Sequence, residues 1–319
     1  MRLPADETLE RQYAASMFDF LKVGVTTPMH NRTGVDTLVK SHQYFYYPAV
    51  ESNFPILKCK KIYPKLALKE LVWMLLGRTD IKWLNDRHVT YWDEWEQKDG
   101  TIGKSYGYQY RNFNGVDQFN ELVNETINNP ESRRLILSLW NPSDLPEMAL
   151  PPCQFLYQFT CIPVYQGGVQ VKNSYIVDLH TLQRSGDSFL GVPYNFVFNG
   201  FFLILFCDMC TKLSQLFCGE AKHFIPADVH HTINNYHLYV NHKDQATQYL
   251  ENFSAEEHID GFSNILEDHI KCYIDVPEDK ATSIDAYLGF LADNYNSDAV
   301  KIIDDVPDKY GPIKADIAV

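Results

Sequence analysis

The stretch RRLILSLWNPSDLPEMALPPC, at positions 133–153, combines a strand pattern with a chemically reactive end. Its first part, Arg133–Trp140, is rich in large apolar side chains and predicts a buried strand. Two prolines then fix the backbone immediately before Cys153. A thiolate is a good nucleophile where nearby cations lower its pKa, whereas a lone cysteine beside a strand is more often a buried apolar residue. The stretch alone leaves both interpretations open.

Working outward from this stretch, the chain alternates between strand and helix patterns. Strands are predicted at Phe155–Pro163, Gln170–Leu182 and Asn235–His242. Helices are predicted at Asp6–Val23, Leu66–Leu76 (ended by Gly77), Asp117–Asn129 (ended by Pro130) and Ser188–Phe217. No internal repeat interrupts this order, so we expect one α+β domain over residues 1–319. The acidic segment at about 251–308 has only weak periodicity.

One carboxylate stands out in the predicted helix at Leu66–Leu76. This helix is apolar on nearly every side, yet Glu70 lies in its middle. A carboxylate on a buried helix costs free energy unless it is paired or functional, so Glu70 is a candidate functional residue.

The composition restricts the class of protein. With 28 basic and 41 acidic residues the formal charge is −13, which argues against binding along a nucleic-acid backbone. The strongest apolar run, Phe201–Cys207, is too short to span a bilayer, and residues 1–7 contain no apolar signal core. The seven cysteines are scattered and odd in number, unlike a secreted disulfide framework. We therefore expect a cytoplasmic protein without membrane contact.

Three groups of polar residues could bind an anion or a sugar. Arg, Ser and Asp within Gln183–Asp187 suit an oxyanion, and the paired arginines of Ser132–Arg134 could clamp a phosphate. His237 and Tyr239 share one strand face and could hydrogen-bond a hydroxyl. Each group also has an ordinary interpretation: a surface turn with one ion pair, a solvated strand end, and a half-buried pair with satisfied hydrogen bonds.

Two other motifs favour a structural role. Cys207 and Cys210 form a C-x-x-C pattern, but it lies inside an apolar helix with no second pair, so we predict core residues. His230 and His231 have no metal-ligand partners at useful spacing and are also predicted to be structural. We expect no metal.

Taken in order, these segments resemble the thymidylate synthase family, and the resemblance is loose only between about 245 and 305. The matching blocks are RRLILSLWNPSDLPEMALPPC (133–153), QRSGDSFLGVPYN (183–195), HLYVNH (237–242), IKADIAV (313–319), VTYWDEW (89–95), SYGYQY (105–110) and NRTG (31–34). The resemblance implies a large twisted mixed β-sheet flanked by helices, whose back packs on a twin in a homodimer. It also implies a divergent acidic segment at about 251–308 and a closing tail at 311–319. The resemblance is also compatible with a virus-encoded enzyme that acts in the host cytoplasm.

The resemblance further implies transfer of one carbon from 5,10-methylenetetrahydrofolate to C5 of dUMP. Cys153 would attack C6 of the base, Asn195 would bind the base, and Glu70 and Tyr106 would handle protons. The other implied substrate contacts are Arg32, Arg184 and Ser185 at the phosphate, Arg133 and Arg134 from the partner subunit, His237 and Tyr239 at the sugar, and Gln154, Gln183 and Asp187 around them. The implied folate contacts are Trp92, Asp187, Leu190, Gly191, Tyr194 and Val319.

The chain departs from the family pattern around the base. Gln154 stands where His is usual, Ile233–Tyr236 where Gly-Asp-x is usual, and Phe196–Asn199 where a small residue, Ser and Tyr are common. Similar positions diverge in viral hydroxymethylases, in which water instead of hydride reaches the methylene intermediate, so hydroxymethylation of dUMP or dCMP is an alternative to methylation. Trp92 and the retained tail favour exclusion of water, and an amide at Asn195 suits uracil. A catalytically inactive homologue that binds nucleotide or RNA is the third hypothesis.

Overall fold

A computed structural model describes residues 8–22, 27–31, 33–259, 270–303 and 310–316. The helices in these ranges are α1 (Leu9–Leu21), α2 (Pro64–Leu75), α3 (Ile81–Asn85), α4 (Tyr106–Arg111), α5 (Gln118–Asn128), α6 (Gly191–Cys218), α7 (Lys243–Ile259) and α8 (Ile284–Asn294). The strands are β1 (Thr27–Met29), β2 (Thr37–Tyr47), β3 (Ile136–Ser138), β4 (Gln154–Gln166), β5 (Val169–Gln183), β6 (Gly186–Asp187), β7 (His223–Tyr239), β8 (Lys271–Ile274) and β9 (Val300–Ile303). Short 3₁₀ turns lie at Asp93–Trp95, Leu145–Glu147 and Val240–His242.

Seven strands form one mixed sheet. Its order is β1-β2-β7-β5-β4-β3, and β6 pairs with β7. The pairs β5–β7 and β6–β7 are parallel and the other pairs are antiparallel. The predicted large mixed sheet flanked by helices is therefore confirmed.

The inner face of the sheet packs against α6. Along β5 the side chains alternate, so that Val177 and Leu179 are buried while Ile176 and His180 are exposed. Helix α6 is long and apolar enough to cross a membrane, but 83% of its most apolar window is buried inside the protein. It is thus the central helix of the core, where Cys207 and Cys210 are buried as predicted.

The outer face of the sheet carries large apolar side chains that no helix of the described ranges covers. Exposed members are Tyr44, Ile136, Ile162, Ile176 and Ile225. Three of these isoleucines are direct cross-strand neighbours, because Ile162 pairs with Ile176 and Ile176 pairs with Ile225. We call this surface the outer sheet face.

Several sequence-based bounds were wrong. The strand predicted at Arg133–Trp140 is reduced to β3, an edge strand of three residues. Its neighbours Leu135 and Leu139 are buried, but Ile136 points outward, so the apolar run is not buried on both sides. The strand predicted at Asn235–His242 is the end of the 17-residue β7, which stops at Tyr239 and gives way to a 3₁₀ turn.

The weak periodicity noted at 251–308 concealed regular structure. The end of α7, all of α8 and the antiparallel pair of β8 and β9 lie in this segment, while residues 260–269 and 304–308 fall outside the described ranges. The helices predicted at Leu66–Leu76, Asp117–Asn129 and Ser188–Phe217 are confirmed with ends shifted by one to three residues. The N-terminal helix is confirmed over Leu9–Leu21.

Two glycines in helices provide a test of this packing. A Cβ on Gly200 in α6 would lie 2.6 Å from Pro55 Cγ, whereas one on Gly289 in α8 would meet nothing within 4 Å. Gly200→Ala should therefore lower the free energy of unfolding by about 1–3 kcal/mol through overpacking. The matched control Gly289→Ala should raise it by about 0.5–1 kcal/mol through helix propensity. Urea denaturation measures both, and a stabilised Gly200→Ala would contradict the close contact of α6 with Pro55.

Candidate active site

Strand pairing brings Cys153 and Arg184 side by side. Gln154 at the start of β4 pairs with Gln183 at the end of β5, and the Arg184 backbone N–H donates to the Cys153 carbonyl at 2.8 Å. The two predicted clusters at 151–154 and 183–187 therefore form one site, although they are thirty residues apart in sequence.

The Arg184 guanidinium braces the loop that carries the thiol. Nε donates to the Pro152 carbonyl at 2.9 Å, and Nη2 donates to the Pro151 carbonyl at 2.8 Å. The same Nη2 lies 3.8 Å from the half-buried Cys153 Sγ. Since prolines lack an N–H and restrict the backbone, their carbonyls are rigid anchors for the arginine. A cation is thus held beside the sulfur, which favours the thiolate.

The other six described cysteines do not share this setting. Cys218 is also half-buried, but its thiol donates to the Ser214 and Glu220 carbonyls. Cys59, Cys161, Cys207, Cys210 and Cys272 are buried, and burial raises the pKa of each thiol. For the Cys161 thiol, the pKa reaches about 12. A buried thiol of high pKa is a poor nucleophile, so Cys153 is the best candidate of the set.

A continuous row of side chains connects Glu70 to the cysteine loop. Trp92 Nε1 donates to Glu70 Oε1 at 2.6 Å, and the Trp92 ring packs edge-on against Tyr106 with centroids 5.5 Å apart. The Tyr106 hydroxyl in turn accepts from the Cys153 backbone N–H at 2.7 Å. The predicted residues Glu70, Trp92, Tyr106 and Cys153 are therefore brought together.

The Glu70 carboxyl is tuned for proton transfer near neutral pH. Part of the side chain remains accessible, but dense surroundings desolvate it and raise its pKa from 4.5 to about 7, while the Trp92 hydrogen bond opposes this rise. Because the folded pKa is the higher one, Glu70 contributes stability that is fully present below pH 4.5 and is lost as the pH rises through about 7. A group with this pKa can act as acid or base at physiological pH.

Four amide side chains meet beneath the cysteine loop, and the first pair joins Gln183 to Asn195. Gln183 Nε2 donates to the Ser185 carbonyl at 2.8 Å and to Asn195 Oδ1 at 3.1 Å. Its Oε1 lies 2.8 Å from Nε2 of His231, whose pKa burial lowers to about 3, so the ring is neutral and donates. The orientation of Gln183 is therefore fixed, because a carbonyl can only accept. Asn195 is left with its NH₂ group and one oxygen lone pair for a ligand.

The second amide pair consists of residues at which the chain departs from its resemblance. Gln154 Nε2 donates to Asn199 Oδ1 at 2.9 Å, and Asn199 Nδ2 donates to the Tyr47 hydroxyl at 3.0 Å. All three side chains are buried. Gln154 and Asn199 thus form one physical unit, which the sequence analysis missed. The sequence did contain a signal for this pair, because both positions differ from the family pattern.

His237 and Tyr239 occupy the end of β7, as expected. His237 Nδ1 donates to the Asn235 carbonyl at 2.9 Å, and the His237 and Tyr239 rings meet edge-on at 5.3 Å. Asn235 has a φ of 43°, a left-handed conformation that asparagine tolerates better than most residues. Asn235 Oδ1 also lies 3.1 Å from His237 Nδ1, so Asn235 holds this ring nitrogen with both its backbone and its side chain.

The loop before α6 is organised by Asp187 and by a lysine that the sequence analysis missed. Asp187 Oδ1 accepts from the backbone N–H groups of Phe189 and Leu190, which places Gly191 at the start of α6. Lys60 is buried, donates to the Phe189 carbonyl and lies over the Phe189 ring. Desolvation lowers its pKa to about 7, against the attraction of Asp187. Lys60 gave no sequence signal because it stands in an ordinary basic run.

Aromatic rings form a wall beside this loop. Tyr194 in α6 lies 6.4 Å from Tyr91, and Trp92 meets Trp95 edge-on at 5.6 Å. Leu190 packs on the same core. Flat aromatic groups of a ligand would stack well on such a wall.

Two predicted residues are not brought to this site within a single chain. Arg133 and Arg134 are exposed, and neither side chain has a hydrogen bond or ion pair within the described ranges. Arg32 and Val319 lie outside the residues that the structure describes.

The link between Trp92 and Glu70 gives a direct test. Trp92→Phe removes the indole donor that stabilises the charged carboxylate, so the pKa of Glu70 should rise above about 7. The carboxyl carbon of Glu70 in ¹³C-labelled protein reports this shift in an NMR titration. Trp83→Phe is the matched control, since the Trp83 ring instead lies over Arg87. An unchanged Glu70 titration in Trp92→Phe would show that the indole does not set its charge.

Comparison with known protein families gives a match over most of the chain. The family model described as thymidylate synthase matches residues 11–260 of the 319 residues. This range includes the cysteine loop, the arginine beside it, both amide pairs and the end of β7. The chain therefore belongs to the thymidylate synthase family.

Proposed function

We propose that this protein methylates dUMP at C5 to give dTMP, with 5,10-methylenetetrahydrofolate as the co-substrate. Membership of the thymidylate synthase family supports folate-dependent one-carbon transfer to dUMP in general. The observation that carries the proposal is the 3.8 Å contact between Arg184 Nη2 and the half-buried thiol of Cys153.

The first step of this mechanism belongs to Cys153. Its sulfur forms a bond to C6 of the uracil, and the electrons of the C5=C6 bond move toward the 4-oxygen, so that C5 becomes nucleophilic. The positive charge of Arg184 beside the sulfur stabilises a negative charge on it before attack. Two of its donors already hold the loop, and Nη1 has no partner among the described residues, so it is available for the substrate phosphate.

Recognition of the base is assigned to Asn195. Its orientation, set by Gln183, offers NH₂ to the 4-oxygen and a lone pair to N3–H of uracil. Cytosine reverses both groups at these positions and would leave them unpaired, which costs binding free energy. His237 and Tyr239 are assigned to the sugar, and Ser185 to the phosphate.

Proton transfer and water exclusion are assigned to the row from Glu70 to Tyr106. After C5 bonds to the one-carbon unit, the C5 proton leaves, and elimination of the folate nitrogen gives an exocyclic methylene. Hydride from the resulting tetrahydrofolate then reduces this methylene, Cys153 leaves C6, and dihydrofolate is released. Trp92 is only 5% exposed and covers the Tyr106 side of the site, which supports a dry methylene intermediate. The aromatic wall with Leu190, Gly191, Tyr194 and Asp187 is assigned to the folate.

Hydroxymethylation is the second candidate, and one observation favours it. Gln154 Oε1 has no hydrogen-bond partner in the described ranges, although the side chain is only 5% exposed. An unpaired acceptor on the residue next to Cys153 could hold a water molecule that adds to the methylene. The buried Gln154–Asn199 bond supports methylation instead, because it closes the space beneath this glutamine. A catalytically inactive homologue is disfavoured by the intact Cys153–Arg184 pair.

We also propose that the enzyme is a homodimer of one-domain subunits. Buried apolar residues from Leu9 to Ile313 belong to one core cluster, which supports a single domain. The outer sheet face exposes neighbouring isoleucines, and a second copy would remove them from water. Arg133 and Arg134 flank β3 at the edge of this face, so in a dimer they could reach the partner's phosphate site.

The reaction products test the proposal. Incubation of the protein with dUMP and methylenetetrahydrofolate should give a methylated nucleotide and one equivalent of dihydrofolate, read by mass and by absorbance. Cys153→Ser should give neither product, since its hydroxyl remains protonated. A hydroxymethyl nucleotide without dihydrofolate would contradict methylation and establish the second candidate. Turnover of dCMP in place of dUMP would contradict the role assigned to Asn195.

A further inference from the structure

The C-terminal segment 310–316 lies along α7 in a defined register. The hydrogen bonds run from Tyr310 Oη to the Asn252 carbonyl at 3.2 Å and to Glu256, from Gln245 Nε2 to the Lys314 carbonyl at 3.3 Å, and from His242 Nε2 to the Asp316 carbonyl at 2.8 Å. As residue numbers rise in the segment, those of its partners fall, so the segment runs antiparallel to α7. It therefore leads from the far end of α7 toward the end of β7.

Two side chains hold the last part of this segment. His242 and Gln245 are three residues apart and lie on one side of the helix start. They donate to carbonyls two residues apart, at 314 and 316. Ile313, which belongs to the segment, is buried. Because backbone carbonyls only accept, both side chains must present an N–H, and this fixes His242 Nε2 as a donor.

His242 also contacts two parts of the candidate active site. Its ring lies 5.6 Å from Tyr239, which is assigned to the sugar, and 6.0 Å from Phe189 in the loop before α6. The side chain is fully buried, and its Nδ1 has no hydrogen-bond partner within the described ranges. Burying an unpaired nitrogen lowers the free energy of unfolding. The imidazole at position 242 is therefore better explained by its hydrogen bond to Asp316 than by a contribution to folding.

We propose that His242 and Gln245 form a clamp that positions the C-terminal segment against the substrate site. Both are positioning residues, since neither has an assigned contact with substrate. This inference rests on the proposed function, because it assigns the clamp to holding the segment while folate is bound and water is excluded. With the clamp intact, the segment at 314–316 is tied to the strand that carries Tyr239 and to the loop at Phe189.

Loss of the clamp should affect mainly the folate half of the reaction, because a phenylalanine at position 242 keeps a ring beside Tyr239. Within the described ranges, Cys153, Arg184 and Asn195 form no hydrogen bond with the segment, so the protein should keep its affinity for dUMP. A loosened segment admits water and lowers folate affinity, so the KM for folate should rise and some methylene intermediate should be captured as hydroxymethyl product.

Three variants and one control test the clamp. His242→Phe should raise the KM for folate about tenfold and Gln245→Ala about threefold, as expected for the loss of one hydrogen bond. His242→Gln, which restores an N–H near the Nε2 position, should recover most of the loss. Thr247→Ala is the control, because this exposed α7 residue bonds only to the Lys243 carbonyl of its own helix. The Kd for dUMP should stay within about twofold in all four.

Trypsin cleavage after Lys314 measures the position of the segment independently of turnover. Lys314 is exposed, and its carbonyl is held by Gln245, so release of the clamp should speed cleavage at this bond several-fold. If cleavage and folate KM are unchanged in Gln245→Ala, or if dUMP and folate affinities fall together, the clamp is overturned. Gln245 is only half-buried, so this variant serves even where His242→Phe does not fold. Wild-type protein that makes no product from dUMP would instead overturn the proposed function, and the cleavage assay would still report on the clamp.

Discussion

The guanidinium of Arg184 is the constraint on which the site depends. It binds two proline carbonyls and lies against the sulfur of Cys153 at once, so the shape of the loop and the charge beside the thiol have one origin. The β4–β5 pairing delivers this arginine to the loop. An acidic protein thereby keeps a local cationic site, although its overall charge is −13.

Hydrogen bonds between buried side chains set the orientation of the polar groups at this site. The neutral ring of His231 and the Ser185 carbonyl together orient Gln183, and Gln183 orients Asn195. Gln154 and Asn199 form a second hydrogen-bonded pair of amides. Both stand at positions where the family usually has other residues. Buried polar groups are tolerated here because each amide finds a partner in a neighbouring amide or hydroxyl.

Local patterns predicted much of the fold, and the failures have physical causes. The sequence predicted helix α2 and singled out Glu70, because a carboxylate stands in the middle of a largely apolar helical pattern. The length of β7 could not be predicted, because its pattern mixes outward-facing polar residues, such as His230 between Tyr46 and His180, with buried ones. Asn199 and His242 escaped for a different reason. Their partners, Gln154 and Asp316, are 45 and 74 residues away, and only the folded chain brings them together.

The central claim is that Cys153 activates C5 of dUMP by attack at C6, and loss of the C5 hydrogen measures this most directly. With dUMP tritiated at C5 and methylenetetrahydrofolate present, wild-type protein should release tritium to water in step with folate consumption, whichever product forms. Cys153→Ser should release none. Folate consumption without tritium release, or release that survives in Cys153→Ser, would contradict attack by this cysteine.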